Sequence, residues 1–400
     1  MGILPDKDHC SGCTACQHVC PVNCISMVAD EQGFAYPRID EAACIDCGLC
    51  SDVCPLVSSP SAAGESPGEP DVYAVKHKDA SVRAASSSGG VFTAISDSVL
   101  ERGGVVYGAA FDAHFRLRHV RGETRRQRDT LRGSKYVQSE LGDVFLEVKS
   151  DLDRNKPVLF SGTPCQIAGL YAYLRDVPEH LIGCDLVCHG VPSPRIFAEY
   201  LQYVEHKRGG RVTAIDFRDK SSGWRRFSVT ITSTGGAGKA VPALDDPYFY
   251  LFSRSVTLRP ACYNCRFATF ARVSDITLGD FWGSRLRRRR PDFVDDQGVS
   301  LVLVNTAKGK KVFDSVRNRV AFEASNRMEC EQMNLIRPSP PSPRRERFWT
   351  DYRRKGFDYV AFKYTRHNPV NRVKETILEW IGDTKCSLYL RRMEQLLAGR

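Results

Sequence analysis

What this sequence lacks narrows its class before any motif is read. No apolar run in the 400 residues approaches the ~18 consecutive positions of a membrane-crossing helix, so no membrane span is expected. Met1 to Leu4 do not build the charged, then apolar start of a secretion signal. No G-x-G-x-x-G opens a βαβ unit, which removes the usual dinucleotide fingerprint. Apart from one cysteine motif nothing repeats, which excludes solenoid and propeller arrays. The basic runs "RLRRRRP" and "RRERFWTDYRRKGF" lack a recognisable nucleic-acid fold and an interleaved aromatic platform. They read as solvated faces, and no nucleic-acid partner is expected. At 42% hydrophobic and 26% charged residues the chain has an ordinary globular composition, with length for two or three domains. The net charge of +10 would suit an acidic electron carrier or an anionic substrate, and equally plain solubility.

Cysteine is what the sequence has in excess: sixteen residues. Cys10, Cys13, Cys16 and Cys20 precede Pro21, a C-x2-C-x2-C-x3-C-P run, and Cys44, Cys47, Cys50 and Cys54 before Pro55 repeat it. Cysteines two apart on a tight turn rarely reach disulfide geometry. Zinc takes four ligands as two pairs, not two identical runs of four. The run with its trailing proline is the bacterial ferredoxin signature, whose fourth cysteine ligates the other cluster. By that rule Cys10, Cys13, Cys16 and Cys54 hold one [4Fe–4S] cluster, and Cys44, Cys47, Cys50 and Cys20 hold a second. Cys24, outside the pattern, reads as a small buried residue. So many thiols without a secretion signal imply a reducing compartment, hence the cytoplasm.

The expected fold class is α+β, in four parts. Residues 1–57 form a small two-cluster ferredoxin-like domain, and the Ser-, Pro- and Gly-rich stretch 58–70 is a flexible linker. Residues 71–335 alternate β-branched runs with helical stretches: "PVLFSG" precedes "CQIAGLYAYL", "LIGCDLV" precedes "RIFAEYLQYVEH", and "SLVLVNT" precedes "KGKKVFDSV". This is a mixed α/β domain. The proline cluster of "RPSPPSPRRERF" opens a basic, helical C-terminal extension, 336–400.

In the central part, "LFSGTPCQIAGL" reads as strand, turn and helix start, with Thr163 as N-cap and Pro164 at the first helical position. Cys165 then falls in the first turn, where the helix dipole favours a thiolate. Cys188 ends an apolar strand, and "CYNC" supplies Cys262 and Cys265. Four thiols from three loops suit a third [4Fe–4S] cluster or a zinc site. Cys184 sits inside the strand and reads as core. His189, beside Cys188, is a candidate proton donor, although such a neighbour more often bonds locally. "SSSGGVFTAISDSVL" and "LRGSKYVQS" are two candidate phosphate cradles, whose structural reading is a capped helix and a surface loop.

The ordered set "SSSGG", "GSKY", "GTPCQ", "VCHGVPSP", "CYNCRF" and "SDITLGDFWG" resembles the coenzyme F420 hydrogenase/dehydrogenase beta-subunit family, over roughly residues 71 to 305. That resemblance implies FAD and one [4Fe–4S] cluster, the latter held by Cys165, Cys188, Cys262 and Cys265. It also implies that Ser88, Gly89, Gly90, Gly133, Ser134, Lys135 and Tyr136 lie against FAD. "SDITLGDFWG" would be a loop near the cofactor, with Asp275 and Asp280 as its polar residues. The expected activity is an oxidoreductase taking electrons from ferredoxin or another acidic carrier and delivering hydride to a small organic acceptor, for which coenzyme F420 is one candidate. The alternative is an electron-transfer subunit whose catalytic partner is another redox chain.

Overall fold

The computed structural model describes residues 4–57, 69–374, 376 and 377. Nearly all of the expected linker, and the last part of the C-terminal segment, lie outside the described residues. Among them no helix is long and apolar enough to cross a membrane.

The N-terminal module is a two-stranded antiparallel ribbon, β1 (Ile25–Ala29) and β2 (Ala35–Ile39), between two cysteine turns. The turns duplicate in conformation as well as sequence. Gly12 and Asp46, each just before the second cysteine of its run, have φ of 73° and 53°. Thr14 and Gly48, each just after it, have φ of 64° and 75°. Such left-handed positions coil the loop so that successive residues face one centre.

The larger part is built on an eight-stranded mixed sheet. Its strands are β3 (Asp71–His77), β4 (Val105–Phe111), β5 (Leu117–Gly122), β6 (Val158–Gly162) and β7 (Leu181–Leu186), then β11 (Ile276–Asp280), β12 (Ser300–Val304) and β13 (Val320–Ser325), in the order β13-β3-β12-β11-β7-β6-β4-β5. The run β11-β7-β6-β4 is parallel, and β12, β13 and β5 pair antiparallel. A central parallel strand is buried on both faces, which is why these segments read as unbroken apolar runs. On β6, Val158 and Phe160 enter one core while Leu159 enters the core on the other face. A smaller antiparallel sheet of β8 (Val212–Asp219), β9 (Ser228–Ser233) and β10 (Lys239–Pro242) joins three helices around a third core.

Two boundaries differ from expectation. The N-terminal module is not a separate body on a tether: Cys13, Ala15, Cys16, Ile25 and Val53 pack into the same core as Phe145, Phe160 and Leu170 of the main domain. Nor is the segment after residue 335 an appendage. The helix Arg345–Tyr364, kinked at Gly356, buries Phe348, Trp349, Tyr352, Phe357 and Val360 against the helix Pro194–Arg208. Its many basic residues disguised an apolar stripe. "SDITLGDFWG" is likewise not simply a loop, because Ile276–Asp280 forms β11 in the middle of the sheet. Trp349 is 3% exposed, so Trp349→Ala should cost about 3–5 kcal/mol. A urea unfolding midpoint unchanged from wild type would show that this helix is peripheral after all.

Candidate functional site

Cysteine side chains converge at three places. Cys10, Cys13 and Cys16 line one cavity together with Cys54 of the second motif. Cys44, Cys47 and Cys50 line another together with Cys20. The crossed grouping of the two cysteine runs is therefore built into the folded chain. Cys24 is buried, as expected for a filler, but it also lines the second cavity, its Sγ 3.4 Å from that of Cys20. Sequence reasoning missed that fifth thiol because its spacing falls outside the motif.

A third cavity, of about 290 Å³, is lined by Cys165, Cys188, Cys262 and Cys265. They come from three structural devices. Cys165 occupies the first turn of the helix Pro164–Leu174, whose Thr163 and Gln166 form a capping box. Cys188 follows β7 by two residues, and Cys262 and Cys265 belong to the 3-10 turn Pro260–Asn264 and its C-cap. Because β6 and β7 are adjacent and parallel, the chain leaves both at the same edge, bringing Cys165 and Cys188 together. Cys184 stays in the core of the sheet. Burial overrides the expected dipole effect at Cys165 and raises its pKa. Burial also lifts Cys188 well above the usual thiol value, Cys262 to about 12 and Cys265 to about 11, each raised further by the neighbouring thiols. Four crowded, dry thiols keep their protons until a metal displaces them. No three His, Cys, Asp or Glu side chains among the described residues close on a single ion. Four thiolates are the donor set of either a tetrahedral zinc ion or an iron–sulfur cluster. The donor set fits a polynuclear iron–sulfur group.

His189 lines this cavity, yet both ring nitrogens are engaged. Nδ1 lies 3.0 Å from Ser339 Oγ, and Nε2 lies 3.2 Å from Ser255 Oγ. Burial lowers its pKa, so it is neutral near pH 7. It braces the loop behind Cys188 and has no free nitrogen to deliver a proton.

The loops after β3, β6, β7 and β11 all leave the carboxyl edge of the sheet, where α/β proteins bind ligands. There "SSSGG" meets "GSKY": Ser134 N–H donates to Ser87 Oγ at 2.7 Å. Arg218, which no motif flagged, ties the loops together through Tyr136 Oη, Asp280 Oδ2 and the Ser87 carbonyl. Trp224 donates to the other oxygen of Asp280 and stacks on Trp282, ring centroids 4.8 Å apart. Lys220 reaches the Ser88 carbonyl. Lys135 donates to the carbonyls of Arg132 and Gly133, and burial pulls its pKa to about 7. Burial, with Arg83 and Arg218 nearby, pulls Lys220 to about 8. Arg218 Nε is buried without a hydrogen-bond partner among the described residues. This cation-rich corner fits a phosphate-bearing ligand.

Not every expected contact is available there. Ser88 Oγ is spent on the Val299 carbonyl, and the Gly89 N–H on Ser300 Oγ. A side chain at Gly89 would collide with the Val75 carbonyl and the Ser300 amide, so that glycine serves packing against β12. Gly90, with φ of 88°, starts the helix Val91–Leu100. Asp275 lies at the opposite end of β11 from Asp280, bound to Gly183 N–H, Thr306 and Lys308. It is part of the frame and takes no part in the corner.

Residues 155–329 match the family model for the C terminus of the coenzyme F420 hydrogenase/dehydrogenase beta subunit, and residues 9–57 match the 4Fe-4S dicluster domain. Over residues 155–329 the chain is similar to the F420 hydrogenase/dehydrogenase beta-subunit family. Members of this family are associated with redox enzyme complexes, and the dicluster domain binds iron–sulfur clusters. An uncharacterized protein of Methanocaldococcus jannaschii is 28% identical over 201 residues, covering 43% of this chain and 54% of that one. The match thus spans about half the length of that curated relative. A chain of the F420-reducing [NiFe] hydrogenase complex from Methanosarcina barkeri is similar with a TM-score of 0.45 and 18% identity, over 65% of this chain and 84% of that one.

The two neighbouring cysteines of β7 and its exit give a direct test of the central site. Cys188→Ala should remove the iron held there, while Cys184→Ala should leave anaerobic iron content unchanged. The reverse result would move the ligand into the strand.

Proposed function

We propose that this chain is an iron–sulfur flavoprotein oxidoreductase, moving electrons between an external redox protein and a small organic acceptor. The observation that carries the reading is the succession of cysteine sites. The first N-terminal cavity and the central cavity share Ser11 and Leu56 as lining residues. Cys50 of the second N-terminal site lies close enough to Cys16 of the first to help raise its pKa. Three [4Fe–4S] clusters and FAD, when bound, would supply one-electron carriage and a centre able to exchange hydride, with coenzyme F420 one candidate acceptor. The protein's part is to hold them in series and dry. Lys135 and Arg218 would take the phosphates of the flavin, the exposed ring of Trp282 offering a flat apolar wall beside them.

A second reading, an electron-transfer subunit for another redox chain, is favoured by the surface over the Cys20/Cys44/Cys47/Cys50 site. Cys47 is exposed there, beside Ile45 at 60% and Val22 at 40% exposure. Such a face is suited to docking.

The sign of charge at that face corrects the expected partner. Residues 1–57 hold Lys7 and Arg38 against eight Asp and Glu. The positive charge of the whole chain therefore resides in the main domain, and the module favours a donor with a basic rim over an acidic ferredoxin. Raising salt should slow reduction by a cationic donor and speed reduction by an acidic ferredoxin, followed by stopped flow. Opposite slopes would place electron arrival on the basic domain.

The flavin reading has its own test. A lysine depressed to about 7 loses its proton as pH rises through neutrality, and a bound phosphate would hold that proton on. FAD affinity should therefore fall between pH 7 and 9, and Lys135→Met should weaken it about tenfold or more and flatten the profile. FAD that binds equally at both pH values and in both proteins would remove Lys135 from the site.

A further inference from the structure

Among the described residues five arginines are buried: Arg83, Arg128, Arg218, Arg259 and Arg272. A buried guanidinium keeps its charge, and leaving that charge without a counter-ion is strongly destabilising. Four of the five have one in plain sight, namely Asp295, Asp97, Asp280 and Asp185 respectively. Arg259 is the most buried of them, at 1% exposure. It has no carboxylate partner among the described residues.

Its neighbours are neutral groups of the N-terminal module and one loop of the main domain. Nε donates to the Cys10 carbonyl at 2.6 Å, Nη1 to Gln138 Oε1 at 3.0 Å, and Nη2 to the Ala35 carbonyl at 3.0 Å. The same Nη2 points at Cys10 Sγ, 3.7 Å away, and the guanidinium lies 4.2 Å from the centre of the Tyr36 ring. On its other side Arg259 lines the central cavity and acts electrostatically on Cys165 and Cys262. Its own backbone carbonyl accepts from the Cys262 N–H. The cation is thus wedged between two sets of cysteines and fixed from both.

We propose that Arg259 is the counter-ion shared by the first N-terminal site and the central site, and that it sets the reduction potential of the groups held in both. This rests on the reading that both sites carry [4Fe–4S] clusters, each of which with four thiolates is a net anion that gains negative charge on reduction. A fixed cation in a dry setting stabilises the reduced form and raises the potential. One residue touching both sites shifts the two together, so the gap between them is preserved while both rise. The second N-terminal site, reached by no Arg259 contact, is left out.

The test is an anaerobic redox titration of the full-length protein, followed by electron paramagnetic resonance, on wild type, Arg259→Gln and Arg259→Lys. Iron and sulfide are assayed first, and wild type lacking a central cluster would overturn the underlying reading. With all clusters present, Arg259→Gln should lower two potentials by at least the equivalent of a tenfold change in the reduced-to-oxidised ratio, ~59 mV for one electron. The third potential should stay put. Arg259→Lys keeps the charge but loses the fork, and should restore most of the shift. Where Arg259→Gln fails to keep its clusters, the lysine variant and wild type are compared instead, and near-equal potentials support the role of charge. Unmoved potentials in a fully loaded glutamine variant, or a lysine variant as displaced as the glutamine one, would overturn the proposal and make Arg259 a packing residue only.

Discussion

The side-by-side parallel pairing of β6 with β7 is the constraint on which the rest of the molecule depends. Val158 faces Leu181 and Gly162 faces Asp185 along that ladder, deep in the sheet. Parallel strands need a long crossover, here the helix Pro164–Leu174, and the crossover begins where the first strand ends. Cys165 and Cys188 therefore emerge at one edge without any special loop geometry. The 3-10 turn carrying Cys262 and Cys265 needs only to close over them. Arg259, one residue before that turn, then faces the N-terminal module. A shift of register between β6 and β7 would disperse all of this at once.

The module and the main domain are one packing unit in their interiors but opposite in surface charge. Ala15 is fully buried and Gly169 leaves no spare room, since a side chain there would come within 2.7 Å of Cys13 Cβ. Hydrogen bonds from Gln138 to the Ser11 carbonyl and from Arg266 to the Pro55 carbonyl add direction to the apolar contact. The acidic exterior of the module meets solvent on the far side. Apolar burial accounts for the docking, and charge is left free to choose what arrives from outside.

Much of this was legible in the sequence where spacing carries chemistry. The doubled cysteine run announced the crossed grouping of its thiols, because three on one loop leave a fourth to come from elsewhere, and the apolar runs of β6, β7 and β12 could be read directly. What escaped notice did so for physical reasons. β11 was hidden because a five-residue strand containing Thr277 and Gly279 has too little apolar pattern. The C-terminal segment was legible as helical, but the packing of the Arg345–Tyr364 helix was hidden because its charges outnumber the residues it buries. Arg218 and Arg259 carry no motif at all, since each acts through neighbours far away in the chain. Asp275 was placed near the ligand by its motif, although a strand of five residues separates its two ends by ~16 Å.

The helix Pro164–Leu174 carries Cys165 in its first turn and Gly169 one turn later, against Cys13. A single rigid rod thus touches two separate cysteine sites, at points about 6 Å apart along its axis. Their separation is gauged by helix pitch, a length that hardly varies with temperature, solvent or the motion of surrounding loops. Tunnelling rates fall exponentially with distance, so a rod of this kind works as a ruler. Were electrons to pass between those two sites, it would shield the step from the breathing that a hinge between domains would have introduced.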